Sequence, residues 1–92
     1  MDTNQIYIPD EMRQRYLERR FQDIQNCESK LKNLDWLYFE QLGHQLKGNA
    51  ASYGYHHLGD IASKLETSAL DKDLVKLEIY IHAFRIWVQT YQ

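Results

Sequence analysis

Hydrophobic residues recur at three- and four-residue steps along most of this 92-residue chain, the spacing of a helix that buries one face. The first such run predicts a helix over about residues 10–31, in which Pro9 and Asp10 suit the first turn. Residues 33–35 interrupt the pattern and are expected to end this helix. Its apolar stripe is predicted to comprise Met12, Tyr16 or Leu17, Phe21, Ile24, Cys27 or Glu28, and Leu31.

The same spacing predicts a second and a third helix in the middle of the chain. Asp35 is expected to cap the second helix, which ends near Tyr53 with Gly54 as the left-handed residue just beyond it. The third helix follows over about residues 55–70. The inward positions are predicted to be Trp36, Leu37, Phe39, Leu42, Leu46 and Ala50 in the second helix, and Leu58, Ile61, Ala62, Leu65 and Ala69 in the third.

The last predicted helix has the most regular apolar pattern of the chain and starts near Asp71 or Asp73. Its seam consists of Leu74, Leu77, Ile81, Phe84 and Val88. Four helices with short connections in a domain of this size predict an all-α fold, an antiparallel up-down four-helix bundle. We expect one domain over residues 1–92, in which residues 1–8 form a leader that packs on the bundle through Ile6, Tyr7 and Ile8.

Composition and charge exclude several classes of function. A net charge of −2 argues against nucleic acid as a partner, because neutralising phosphates needs a basic stripe. The chain has no apolar run of transmembrane length and no signal-peptide pattern at its start, so no membrane association is expected. A single cysteine, Cys27, excludes an internal disulfide and suits a semi-buried thiol in a reducing cytoplasm.

The candidate chemistry lies on the second helix, where His44, Lys47 and Gly48 share one face, away from Leu42 and Leu46. An exposed imidazole is a nucleophile near neutral pH, and an ammonium one turn away can offset the charge of a phosphoryl group. Gly48 leaves room over the ring. On these residues alone, a surface histidine that happens to precede a lysine is the simpler interpretation. Gly43 either adds clearance or lets the helix pack closely against a neighbour.

The run HQLKGNAASYGYHHLGDIASKLE, from His44 to Glu66, resembles the histidine-containing phosphotransfer family. The matching positions are His44, Lys47, Gly48, the small residues 49–52, Gly54, Leu58 and Leu65-Glu66. The resemblance implies that Nε2 of His44 accepts the phosphoryl group, that Lys47 steadies the phosphoryl oxygens and that Gly48 permits close approach. It also implies that Glu66 binds the other ring nitrogen. Further residues are expected to rim the docking surface: Gln41, Gln45, Asn49, Ser52 and Tyr55.

The same resemblance implies the partners. These are a response-regulator receiver domain, a hybrid sensor histidine kinase, or both, with Mg²⁺ bound in the receiver and no cofactor or ATP site on this chain. The protein is thus expected to be a cytoplasmic, monomeric phosphocarrier and not an enzyme. An alternative is a helical interaction module that binds a receiver or another signalling protein without carrying phosphate. A domain cut from a larger chemotaxis-type kinase is disfavoured, because the chain starts at Met1 and ends in a complete helix.

The remaining notable residues are expected to be ordinary core or surface residues. Adjacent His56 and His57 point about 100° apart on a helix, so no metal site is expected there, and His82 is assigned no role. The aromatic residues Trp36, Phe39, Phe84, Trp87 and Tyr91 are expected to pack in the core and at the bundle ends. The run Glu18-Arg19-Arg20 is predicted to be solvated, with the alternative that Arg19 or Arg20 extends the docking surface.

Overall fold

The computed structural model describes residues 7–91, which form four α-helices and no strand. The helices are α1 (Asp10–Lys32), α2 (Trp36–Ser52), α3 (His56–Leu70) and α4 (Leu74–Thr90). Their bounds lie within a few residues of those predicted from the hydrophobic spacing. The all-α prediction is therefore confirmed.

Each turn between helices contains a residue with a left-handed backbone. Gly54, with φ of 82°, follows α2 as predicted, whereas Leu34 (φ 49°) and Lys72 (φ 51°) take this conformation in the other two turns. The backbone N–H of Tyr38 donates to the side chain of Asp35 over 3.1 Å, so Asp35 caps α2 as expected. Of the two alternatives for α4, the cap is Asp73, which accepts from the N–H of Lys76 over 3.1 Å.

The helices pack in an antiparallel up-down order. Three-residue turns reverse the chain between successive helices, and α4 returns to lie between α3 and α1. The contacts that mark the neighbouring pairs are Tyr16 with Asn49, Lys47 with Glu66, Lys64 with Tyr80, and Glu28 with Arg85. The bundle thus places α2 and α4 diagonally, with α1 and α3 between them.

One continuous core runs through the bundle. Its fully buried large side chains are Phe39, Leu46, Leu58, Leu65, Leu77, Phe84 and Cys27. Cys27 was expected to be semi-buried, but its exposed fraction is 0%. Burial raises the pKa of its thiol to about 12. Deep burial follows from its position on the inner stripe of α1, between Ile24 and Leu31.

Some predicted apolar contacts are absent at the helix ends. Met12, Leu37 and Leu74 were assigned to buried stripes, but they are 46%, 58% and 38% exposed. Met12 and Leu74 lie in the first turn of their helices, where the neighbouring helices no longer cover the surface. Leu37 lies on the side of α2 that is opposite the buried Phe39 and Leu46. Tyr7 is 83% exposed, so it does not pack on the bundle, while Ile8 is half-buried. The prediction for Ile6 falls outside the described residues.

Within residues 7–91, no helix is both long and apolar enough to cross a lipid bilayer.

Candidate functional site

The backbones of α2 and α3 touch at Gly43, and this contact sets the geometry of the site. A Cβ atom on Gly43 would lie 2.6 Å from the backbone nitrogen of Glu66 and 2.7 Å from the carbonyl oxygen of Ala62. No side chain larger than hydrogen fits there without moving α3. Of the two roles considered for Gly43, close packing is therefore correct.

This approach brings the side chain of Glu66 to the histidine face of α2. Nδ1 of His44 lies 3.0 Å from Oε2 of Glu66, and Nζ of Lys47 donates to Oε1 over 2.8 Å. The His44 side chain is 72% exposed, whereas that of Glu66 is 16% exposed beneath its two partners. The carboxylate thus holds one ring nitrogen of His44 and leaves Nε2 on the exposed side of the ring.

The charge state of Glu66 fixes the tautomer of that ring. The pKa of Glu66 is lowered below its ordinary value. The largest cause is the hydrogen bond from Lys47, and a smaller hydrogen bond from His44 adds to it, so that together they outweigh the effect of burial. An ionised carboxylate can only accept hydrogen bonds, so Nδ1 of His44 must carry the proton that it donates. In the neutral ring, Nε2 then has a free lone pair.

The surface around Nε2 is open. A Cβ atom on Gly48 would meet nothing within 4 Å, so packing among residues 7–91 does not explain the glycine. An open depression of about 500 Å³ is lined by Glu40, Gln41, His44, Gln45 and Glu66. Sequence reasoning missed Glu40, although its position four residues before His44 places it on the same helix face.

The predicted rim residues divide into two groups. Gln41, Gln45 and Ser52 are exposed. Asn49 and Tyr55 are half-buried and pack inside the bundle instead: the hydroxyl of Tyr16 donates to Oδ1 of Asn49. The Tyr55 ring stacks on Tyr16 and meets Trp87 edge-on, with centroid distances of 5.8 and 5.1 Å. The side chains of Asn49 and Tyr55 therefore do not lie free on the surface beside His44.

Helix α1 buttresses the end of α2, a contribution that the hydrophobic pattern did not predict. Nη1 of Arg13 donates to the carbonyl oxygen of Tyr53 over 2.9 Å, and the Tyr16 ring stacks on Tyr53 at 4.2 Å. The Arg20 guanidinium lies 4.3 Å from the centroid of the Tyr16 ring and donates to Asp23 over 2.7 Å.

Arg20 is only 8% exposed. The prediction of a solvated Arg20, and the alternative that it extends a docking surface, are both wrong, because the Tyr16 ring and Asp23 hold it in the bundle. Arg19 is exposed, and its proposed part in docking stays a prediction.

The remaining histidines stand apart from the site. His56, His57 and His82 are all exposed. Over residues 7–91, no three histidine, cysteine, aspartate or glutamate side chains lie close enough together to hold a metal ion.

The fold and site define a four-helix bundle whose exposed histidine is oriented by a carboxylate from the next helix. The sequence model of the Hpt domain, the histidine-containing phosphotransfer domain, matches residues 11–90, and the chain belongs to this family. Neither the curated proteins nor the solved structures compared with the chain gave a significant match. Hpt domains are phosphocarriers in phosphorelay signalling, and their partners are response-regulator or kinase domains.

Proposed function

We propose that this chain carries a phosphoryl group on Nε2 of His44, received from and returned to an aspartate of a receiver domain. The observation that carries the proposal is the hydrogen bond of 3.0 Å between Nδ1 of His44 and Glu66, on an imidazole that is otherwise exposed. It leaves Nε2 as the free nucleophilic atom at the surface.

The transfer exchanges one N–P bond for one P–O bond between the two proteins. The Nε2 lone pair attacks the phosphorus of an aspartyl phosphate, an N–P bond forms, and the P–O bond to the aspartate breaks, releasing its carboxylate. Positive charge develops on the ring of His44 as Nε2 is phosphorylated, and the carboxylate of Glu66 stabilises it through Nδ1–H. The reverse steps return the phosphoryl group.

Lys47 supplies the positive charge that the incoming phosphoryl group requires. Its Nζ now donates to Glu66 over 2.8 Å, and the flexible side chain, 47% exposed, can turn toward phosphoryl oxygens at Nε2. The open space beside Gly48 supports close approach of the receiver, and Gln41 and Gln45 line the approach. In this scheme Mg²⁺ belongs to the receiver, and the exchange takes place in the cytoplasm.

A transfer assay with phosphorylated receivers tests the proposal. Wild-type protein is expected to acquire label that is labile in acid and stable in base, while His44→Gln acquires none. His56→Gln is the matched control, because it removes an exposed histidine outside the site and should be labelled like the wild type. Equal labelling of wild type and His44→Gln would contradict the proposal. Binding of a receiver with no labelling would favour an interaction module that never carries phosphate.

A further inference from the structure

The outward face of α4 carries three exposed apolar side chains, and nothing within residues 7–91 covers it. Val75, Ile79 and Ile86 are 70%, 55% and 51% exposed, and His82 lies between the last two. These four positions follow one another in steps of four, three and four residues, so they form one straight stripe along the helix. We name Val75, Ile79, His82 and Ile86 the α4 stripe.

The α4 stripe is separate from the core-facing side of the same helix. The inner side carries Leu77, Ile81, Phe84 and Val88, which are at most 5% exposed. The bundle is thus fully packed without the stripe, and α4 is apolar on two opposite faces. Exposed apolar side chains aligned on one helix face are typical of an interaction site. The four-three spacing is that of a two-helix seam.

The charges beside the stripe indicate what covers it. Glu78 and Arg85 lie on the same flank, one on each side of the stripe's midpoint between Ile79 and His82. If two α4 helices pair antiparallel about a two-fold axis at this midpoint, Glu78 of each copy faces Arg85 of the other. Ile79 then faces His82, and Val75 faces Ile86. The stripe residues can thus pair with their own copies, and the charges that flank the stripe are complementary across the axis.

Arg85 is already held on that flank. Its Nη2 lies 3.5 Å from Oε1 of Glu28 on α1, and its side chain is 33% exposed. A guanidinium has five N–H donors, so Arg85 can bind Glu78 of a second copy without releasing Glu28. The arginine is therefore positioned before association, which lowers the entropic cost of forming the contact.

We propose that the α4 stripe is the interface of a homodimer, formed by antiparallel pairing of α4 with α4 of a second copy. This departs from the monomer expected on sequence. Because α4 lies diagonally opposite α2 and the stripe points away from the core, both His44 side chains stay accessible in the dimer. The dimer does not depend on phosphoryl transfer, so either proposal can fail without the other.

Sedimentation equilibrium from the micromolar to the millimolar range tests the interface. We expect a wild-type mass that rises with concentration toward twice the 11.1 kDa of the chain. The double substitution Ile79→Lys with Ile86→Lys should raise the dissociation constant at least about tenfold, because it buries unpaired charges in the seam. Circular dichroism should be unchanged, since both residues are exposed. Leu37→Lys is the matched control: it changes an exposed leucine on α2 and should leave the mass unchanged.

Charge reversal tests the antiparallel register. Glu78→Arg alone and Arg85→Glu alone should each weaken the dimer, because each places like charges opposite one another across the axis. An equimolar mixture of the two variants should regain the dimer, since both cross-axis pairs then attract. A monomeric wild type throughout the concentration range would overturn the proposal, as would a dimer that the lysine substitutions leave intact. If the mixture of the two variants dimerises no more strongly than either variant alone, the antiparallel register is wrong.

Discussion

Gly43 and Gly48 lie five residues apart on α2, and their surroundings differ completely. Gly43 faces the backbone of α3, which leaves no space for a Cβ atom, whereas Gly48 faces open solvent. A glycine inside a helix costs about 1 kcal/mol relative to alanine. At Gly43 this cost is offset inside the fold by close packing. At Gly48 no packing within residues 7–91 offsets the cost, which supports the proposal that the glycine gives a partner access to His44.

Alanine at the two positions should therefore have opposite effects on stability. Gly43→Ala should lower the free energy of unfolding by about 1–3 kcal/mol, because the added Cβ overlaps the α3 backbone. Gly48→Ala should raise it by up to about 1 kcal/mol while slowing phosphoryl transfer. Urea denaturation measures the free energy of unfolding of both variants, and the transfer assay measures the rate of phosphoryl transfer by Gly48→Ala. Transfer at the wild-type rate by Gly48→Ala would refute the clearance argument.

The Glu66 carboxylate should give the site a pH-dependent stability. Folding lowers the pKa of Glu66 below its ordinary value of 4.5, mainly through the hydrogen bond from Lys47. The ionised form is thus favoured in the folded state, so its contribution is fully present above about pH 4.5 and is lost as the pH falls through the folded pKa.

Glu66→Gln should accordingly be less stable than the wild type by no more than about 1 kcal/mol near neutral pH. The difference should shrink as the pH falls below 4.5 and through the folded pKa of Glu66, because the wild-type carboxyl then loses its charge as well. Urea denaturation at a series of pH values measures it. Lys47→Met should lose a similar contribution over the same range, because the ion pair needs both partners. A difference that persists unchanged in acid would exclude this origin.

At the scale of the helices, the apolar spacing predicted which faces are buried but not where burial stops. On α4, the predicted seam from Leu74 to Val88 is buried from Leu77 onward, while Leu74 remains 38% exposed. The spacing along one helix is periodic, whereas burial depends on how far the neighbouring helices extend. For a first-turn residue such as Leu74, the apolar spacing therefore predicts more burial than the structure shows.

Two leucines of the same seam should respond very differently to truncation. Leu77→Ala should cost about 2–5 kcal/mol, because it opens a cavity between packed helices. Leu74→Ala should change stability by no more than about 0.5 kcal/mol, since water already reaches the side chain. Chemical denaturation of both variants measures the contrast. Similar losses at the two positions would mean that Leu74 is part of the core.

At the scale of the whole molecule, the core closes around Cys27. Its thiol is fully buried, and burial raises its pKa to about 12, so neither access nor ionisation permits reaction at neutral pH. We expect a thiol-specific disulfide reagent to label Cys27 only through opening of the bundle. Labelling should therefore be faster in Leu77→Ala than in the wild type, as its stability falls. Native protein that reacts as fast as urea-unfolded protein would contradict this packing.

The candidate site divides between what lies on one helix and what lies between helices. His44, Lys47 and Gly48 share a face because helix geometry fixes the direction of residues three and four positions apart. Their contact with Glu66 joins α2 to α3, and in the sequence only the family resemblance predicted this contact. Asn49 and Tyr55 were expected beside the same surface, yet they turn toward α1 and α4, because a helix has neighbours on more than one side.

By itself the sequence determined the four helices, their caps at Asp35 and Gly54, and the family, because these depend on local spacing and on an ordered motif. Only the tertiary structure decided that Gly43 joins two backbones, that Arg20 is buried on Tyr16, and that α4 has a second apolar face in water. Each of these depends on which side of a helix its neighbours occupy. The spacing of apolar residues shows which residues share a helix face, but only the packing of the neighbouring helices shows which face is covered.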